Sequence, residues 1–216
     1  MITMDRQQTF EKIQQHVLVA VIRGDSPQQA VDTAKALLEG GVMGLEIALT
    51  TPGGVKAIEQ AVREIGDEGI VGAGTVMDAD SAKAVIDAGA AFVFAPNVNL
   101  DVIAAVNERD RVMVPGALTP TEIATAWAAG VDMVKLFPAN HFGPKYIKDI
   151  HGPMPDVKIT PTGGVDLTTI KAWLDAGAAA LGVGSALVKK DLMRAGDWAG
   201  LTELARKYTQ AVSEAR

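Results

Sequence analysis

Eight short runs rich in β-branched and apolar residues alternate with longer helical patterns along the whole chain. The runs are VLVAVI (17–22), MGLEIAL (43–49), GIVGAG (69–74), AFVFA (91–95), RVMVPG (111–116), DMVKLF (132–137), VKITPT (157–162) and AALGVG (179–184). Between them lie segments such as SPQQAVDTAKALLEGG and LTPTEIATAWAAG, whose apolar residues recur at helical spacing behind a Ser, Thr or Pro. Strand and helix in regular alternation imply a parallel sheet, because each strand must return through a crossover. Eight is the number at which such a sheet closes, so the expected fold is α/β, a single (β/α)8 TIM barrel. An open doubly wound sheet is the rival. It normally carries GxGxxG after its first strand, where this chain reads RGDSPQQ.

A short phrase recurs where helix gives way to strand: EGGVMGLE, DAGAAFVF, AAGVDMVK and DAGAAALG, about 41–48 residues apart. Each ends a helix on glycine and then launches a hydrophobic strand, a repeat of architecture at roughly two βα units. The 216 residues suit one domain covering 1–216. Within it we expect an extra N-terminal helix (1–16), a barrel core (17–195) and a closing amphipathic helix (196–216) that includes Tyr208. Hydrophobic residues make up 48% of the chain but aromatic ones only 5%, so Ala, Val, Ile and Leu must fill the core. Trp127, Trp173 and Trp198 fall in helical patterns and read as packing residues.

Several function classes drop out. The net charge is −6 with acids and bases interspersed, so no basic footprint for nucleic acid exists. Without cysteine there is no disulfide, thiolate nucleophile or sulfur-ligated metal. His16, His141 and His151 lack metal-ligand spacing. The opening MITMDRQQTFEKIQQH is polar and unlike a signal peptide. No apolar run approaches the roughly 20 residues needed to span a bilayer. A cytoplasmic protein that binds neither membrane nor nucleic acid is expected.

In a closed barrel, chemistry gathers at the carboxyl ends of the strands. Those ends read Arg23, Glu46, Thr75, Pro96–Asn97, Gly116, Lys135, Thr162–Gly163–Gly164 and Gly184–Ser185. Lys135 stands between Val134 and Leu136, and apolar surroundings disfavour an ammonium and favour the neutral amine that attacks a carbonyl. A lysine that snorkels to solvent, or pairs with a carboxylate, would leave the same trace. Glu46 in LEIAL poses the mirror problem: a general acid/base, or a structural partner for Lys135 or Arg23. The planar fork of Arg23 suits a substrate carboxylate, and equally a salt bridge across the barrel mouth. PTGGV and GVGS stand at strand ends seven and eight, where barrels build phosphate sites from backbone N–H groups. The alternative is that these glycines only permit tight turns.

Taken in order, AVIRG, GGVMGLEIALTTP, IVGAGTV, FVFAPN, PGALTPTE, VKLFPA, FGPKYIK, PTGGV and GVGSALV resemble the 2-dehydro-3-deoxy-phosphogluconate/4-hydroxy-2-oxoglutarate aldolases. These are class I barrel enzymes of the Entner–Doudoroff route, and the resemblance covers nearly the whole chain. It implies that Lys135 forms a Schiff base with a 2-keto acid and that Glu46 is the general acid/base. It implies further that Arg23 and Thr75 hold the pyruvate carboxylate, and that Gly163, Gly164, Gly184 and Ser185 bind phosphate. Thr50, Pro96, Phe137 and Thr162 are candidate substrate contacts. The resemblance also implies a homotrimer, a small-molecule substrate, and no metal or cofactor.

One departure stands out. Many members read Leu-Arg-Thr after the glutamate's strand, with the arginine on the phosphate, whereas here Thr50 occupies that place. The preferred epimer therefore stays open, because the galactonate-derived substrate belongs to enzymes that share the FGPKYIK-like stretch. More remote rivals are a phosphate-barrel isomerase, epimerase or decarboxylase, and a non-catalytic sugar-phosphate-binding barrel.

Overall fold

In the computed structural model, which describes residues 4–216, each of the eight hydrophobic runs contributes a parallel strand. They are β1 (Leu18–Ile22), β2 (Gly44–Ala48), β3 (Ile70–Gly74), β4 (Phe92–Phe94), β5 (Val112–Val114), β6 (Gly116–Ala117), β7 (Val134–Leu136), β8 (Ile159–Pro161) and β9 (Leu181–Val183). The fifth run supplies both β5 and β6, since Pro115 between them has no N–H for the ladder. Its carbonyl still accepts from the Lys135 N–H at 2.9 Å, which carries the sheet across the break.

Hydrogen bonding runs β5-β4-β3-β2-β1-β9 in one sheet and β6-β7-β8 in the other. A parallel bridge between Thr162 and Gly182 joins the second seam. The sheet thus curls into an α/β barrel. The strands are shorter than the hydrophobic runs. Val17, expected in the first strand, instead ends the preceding helix, donating its N–H to the Ile13 carbonyl at 2.8 Å.

Around the strands lie α1 (Arg6–His16), α2 (Pro27–Glu39), α3 (Gly54–Ile65), α4 (Ala79–Asp87), α5 (Leu100–Glu108), α6 (Pro120–Ala128), α7 (Lys145–His151), α8 (Ile170–Asp175), α9 (Lys190–Ala195) and α10 (Trp198–Ala215). Several start on a side chain that satisfies an otherwise orphaned N–H. Ser26 accepts from the Gln29 N–H at 3.2 Å, Asp78 from Ser81 at 2.7 Å and Thr119 from Glu122 at 3.3 Å. The closing helix α10 packs on α2 and α8, with Tyr208 buried and the Thr202 hydroxyl donating to the Ala36 carbonyl at 2.9 Å.

Side chains alternate along each strand, which splits the core into two shells. Leu18, Ala20, Ile22, Leu45, Ile47, Val134 and Leu136 face the helices. Val19, Ile70, Phe92, Phe94, Val112, Val114 and Met133 fill the barrel's interior, joined by Ile13 of α1. Each fully buried side chain of this size contributes about 1.5–3 kcal/mol. Arg6 fastens α1 by a two-point contact to Asp132 at 2.9 and 3.0 Å, while Asp132 accepts from the Met113 N–H at 3.0 Å. The inward rows are therefore apolar at the foot of the barrel. Higher up, they change to Glu46, Lys135, Thr160 and Thr162.

Candidate active site

Lys135 is inward-facing on β7, between Gly116 on β6 and Thr160 on β8. Its neighbours Val134 and Leu136 point outward, so strand alternation alone drives this lysine into the barrel. It is 4% exposed, and Glu46 on β2 is 0% exposed. Their side chains meet at 4.0 Å, Lys135 Nζ to Glu46 Oε1. Two aromatic rings flank the ammonium, Phe94 at 5.4 Å and Phe137 at 5.0 Å to their centroids, a distance at which a ring face attracts a cation. Snorkelling to solvent does not describe this lysine, whereas pairing with a carboxylate does, in the buried contact with Glu46.

Burial holds the Glu46 carboxyl above the usual carboxylate range, against the opposing charges of Lys135 and Arg23. Neither of its oxygens has a hydrogen-bond donor among the described residues. A buried carboxyl without donors, beside a lysine, holds its proton more readily than an exposed glutamate and can take and return it. Its seat is made by Gly74, whose missing side chain is essential. A Cβ there would lie 1.9 Å from Glu46 Oε1 and 2.6 Å from its carboxyl carbon.

Arg23 extends from the end of β1 and is exposed. The turn behind it is pinned by Thr51, itself buried, whose hydroxyl accepts from the Gly24 N–H at 3.1 Å. Thr75 follows directly on Gly74 and holds φ at +60°, a conformation rare for a β-branched residue and one that clusters at functional sites.

A cavity of about 380 Å³ opens at this end of the barrel. Gly163, Gly164, Gly184 and Ser185 line one side, with Arg23, Phe137 and Thr162 also on its wall. Gly163 and Gly164 adopt φ of +98° and +71°, values that favour glycine and bend the chain tightly around Asn140. Lys135 and Glu46 sit deeper on the same inward rows, with Phe137 and Val21 of the lining as their respective neighbours. Thr50, Thr75, Pro96 and Asn97 are not on the cavity wall, and Thr50 is exposed on the turn after β2. Among the described residues no cluster of three or more His, Asp or Glu could hold a metal ion.

The sequence reading missed Gly74, Thr51 and Lys189, the last of which also lines the cavity. A glycine that faces a strand glutamate across one register step (Ala48 pairs with Gly74) was the available signal for the first. Lys189 follows the GVGS phrase too distantly for motif reading to include it.

A sequence model of the family described as KDPG and KHG aldolase matches residues 10–204. The 2-dehydro-3-deoxy-6-phosphogalactonate aldolase of Escherichia coli strain K12 is 34% identical over 200 residues, covering 92% of this chain and 95% of that one. The KHG/KDPG aldolase of the same strain is 36% identical over 194 residues, covering 89% and 91%. Among solved structures, the KDPG aldolase of Legionella pneumophila, with pyruvate captured at low pH as a covalent carbinolamine, superposes with a TM-score of 0.85. It is 29% identical and the match covers 92% of this chain and 97% of that one.

Proposed function

This chain belongs to the KDPG and KHG aldolase family, and from that premise we propose that Lys135 is its Schiff-base lysine and Glu46 its proton carrier. The activity is that of a class I pyruvate aldolase, a carbon–carbon lyase. The observation that carries the residue assignment is the buried Lys135–Glu46 pair at 4.0 Å in the upper barrel.

The substrate in this reading is a 6-phosphorylated 2-keto-3-deoxy sugar acid, of the gluconate or galactonate series. 4-Hydroxy-2-oxoglutarate is the unphosphorylated substrate of the same chemistry. Lys135 Nζ attacks the C2 ketone, and loss of water gives a protonated imine. Glu46 takes the proton of the C4 hydroxyl, directly or through one water. The C3–C4 electron pair flows into the imine nitrogen as the bond breaks, leaving an enamine and an aldehyde, glyceraldehyde 3-phosphate or glyoxylate. Protonation at C3 and hydrolysis release pyruvate and restore the amine. Arg23 and Thr75 hold the pyruvate carboxylate, and Gly163, Gly164, Gly184 and Ser185 offer N–H and hydroxyl donors to the phosphate. Pro96, Phe137 and Thr162 contact the substrate between these ends. Thr162 supports this reading with a buried hydroxyl that has no hydrogen-bond partner among the described residues.

Family membership also motivates a single domain over 1–216, a homotrimer and a cytoplasmic location. No helix among the described residues is long and apolar enough to cross a membrane. Light scattering that returned a monomer at working concentration would remove the trimer.

The test of the assignment is reductive trapping. Incubation with pyruvate followed by borohydride should leave a stable adduct that peptide mapping places on Lys135. An intact protein with no adduct, or an adduct on another lysine, overturns it.

A further inference from the structure

The cavity over the two glycine loops carries a cation to which the mechanism above gives no task. Lys189 lies four residues beyond Ser185 and lines the same cavity as Gly163, Gly164, Gly184 and Ser185. Its backbone is anchored. Leu187 and Val188 are buried, and both donate their N–H groups to the Gly184 carbonyl, at 3.0 and 2.9 Å. Lys189 itself is exposed, and among the described residues it forms no ion pair.

The carboxylate on that wall is Asp166. It is already engaged, accepting from the Thr168 N–H at 2.9 Å, the Thr168 hydroxyl at 2.7 Å and the Thr169 N–H at 3.1 Å. Those bonds stabilise its charged form, so any anion entering the cavity meets a negative charge that must be offset. Thr50, exposed and off the wall, offers no charge to offset it. Arg23 is nearer the chemistry, close enough to Glu46 for its charge to act there. Lys189 is the remaining cation.

We propose that Lys189 binds the terminal phosphate of the substrate, supplying from the β9 loop the positive charge that residue 50 lacks. It thereby sets the preference for phosphorylated over unphosphorylated 2-keto acids. This inference rests on the aldolase reading. A lysine is a mobile point charge rather than a planar fork. It therefore follows a phosphate held chiefly by backbone donors without dictating the substrate's orientation.

The experiment compares kcat/KM for a 6-phosphorylated 2-keto-3-deoxy acid with that for 4-hydroxy-2-oxoglutarate, in the full chain and in Lys189→Met and Lys189→Arg. A charge-assisted hydrogen bond is worth about one to two decades of affinity, and solvent screening of an exposed lysine places the effect at the lower end. The ratio of the two kcat/KM values should fall about tenfold in Lys189→Met, through KM of the phosphorylated substrate, and recover in Lys189→Arg. Inorganic phosphate, tested as a competitive inhibitor, should weaken by the same factor. Pyruvate trapping run in parallel separates the two levels of failure. No adduct in the unaltered protein overturns the aldolase reading and this inference with it. A normal adduct with an unmoved ratio in Lys189→Met, or equal losses on both substrates, overturns this inference alone.

Discussion

Replacing Gly74 by alanine is the sharpest perturbation of the Lys135–Glu46 pair that leaves both its members in place. The added methyl would stand 1.9 Å from Glu46 Oε1, 2.6 Å from the carboxyl carbon and 2.7 Å from Cγ. Ordinary contact needs about 3.4 Å, so Oε1 must retreat by about 1.5 Å. The carboxyl is the free end of a side chain, so it can move. Any such movement disturbs the 4.0 Å spacing to Lys135. A misplacement of about 1 Å costs roughly 10²-fold, and loss of a general acid/base costs about 10²–10⁴-fold. The variant should therefore lose at least about 10²-fold in kcat/KM. Overpacking costs about 1–3 kcal/mol, which in a domain of this size lowers Tm by roughly 2–12 °C, leaving it folded at room temperature. Steady-state cleavage, thermal melting and borohydride trapping with pyruvate form the assay, and trapping should survive far better than cleavage. Shortening the acid in the same chain (Gly74→Ala with Glu46→Asp) returns about one bond length of space. The double variant should then be no worse than Gly74→Ala alone, a strong departure from additivity. If Gly74→Ala keeps a third of normal turnover, or if the two losses simply add, Gly74 is not the seat of the glutamate.

Lys135→Met should abolish both cleavage and pyruvate trapping while the far-ultraviolet spectrum stays native; a tenth of normal turnover would refute its role. Burial raises the Glu46 carboxyl, and a base must be ionised to act, so the acid limb of kcat/KM should lie at higher pH than an ordinary glutamate would give. Glu46→Gln should lose about 10²–10⁴-fold in rate and lose that limb as well; a limb unmoved in the variant would assign it to another group. Thr50→Arg should lower KM for the phosphorylated substrate by up to about tenfold, a charge-assisted bond discounted for exposure. Equal improvement on 4-hydroxy-2-oxoglutarate would show that residue 50 does not face the phosphate.

Much of this was legible in the chain itself, and particular residues show why. Strand alternation is local, so VKL and LEIA alone oblige Lys135 and Glu46 to point inward once their flanking residues pack on helices. Barrel closure then brings two distant strands within 4.0 Å. The phrase PTGGV was readable because positive φ at Gly163 and Gly164 is a local demand. What stayed hidden depends on contacts between elements. Gly74 matters through a side chain on the neighbouring strand, and Thr51 through the N–H of Gly24 on the preceding loop. The strand break at Pro115 could be suspected from the proline, but its consequence rests on the carbonyl that still joins β7. Lys189 faces the cavity only because the loop after β9 turns back on Gly184.

The left-handed backbone at Thr75 carries a consequence for how this protein can be improved. Holding a β-branched residue at φ +60° costs on the order of 1–3 kcal/mol, which glycine would largely recover. Thr75→Gly should therefore melt higher, by several degrees, and, on the proposed role of Thr75 at the pyruvate carboxylate, bind pyruvate less tightly for want of the hydroxyl. Directed evolution scored on heat tolerance alone would discard Thr75 early and drift toward a sturdier, slower catalyst. Scored on turnover, it would retain this threonine and find its stability in the outer helices instead. A Thr75→Gly variant that melts no higher than the parent would mean that the loop already relaxes the conformation, and that position 75 offers evolution no such trade.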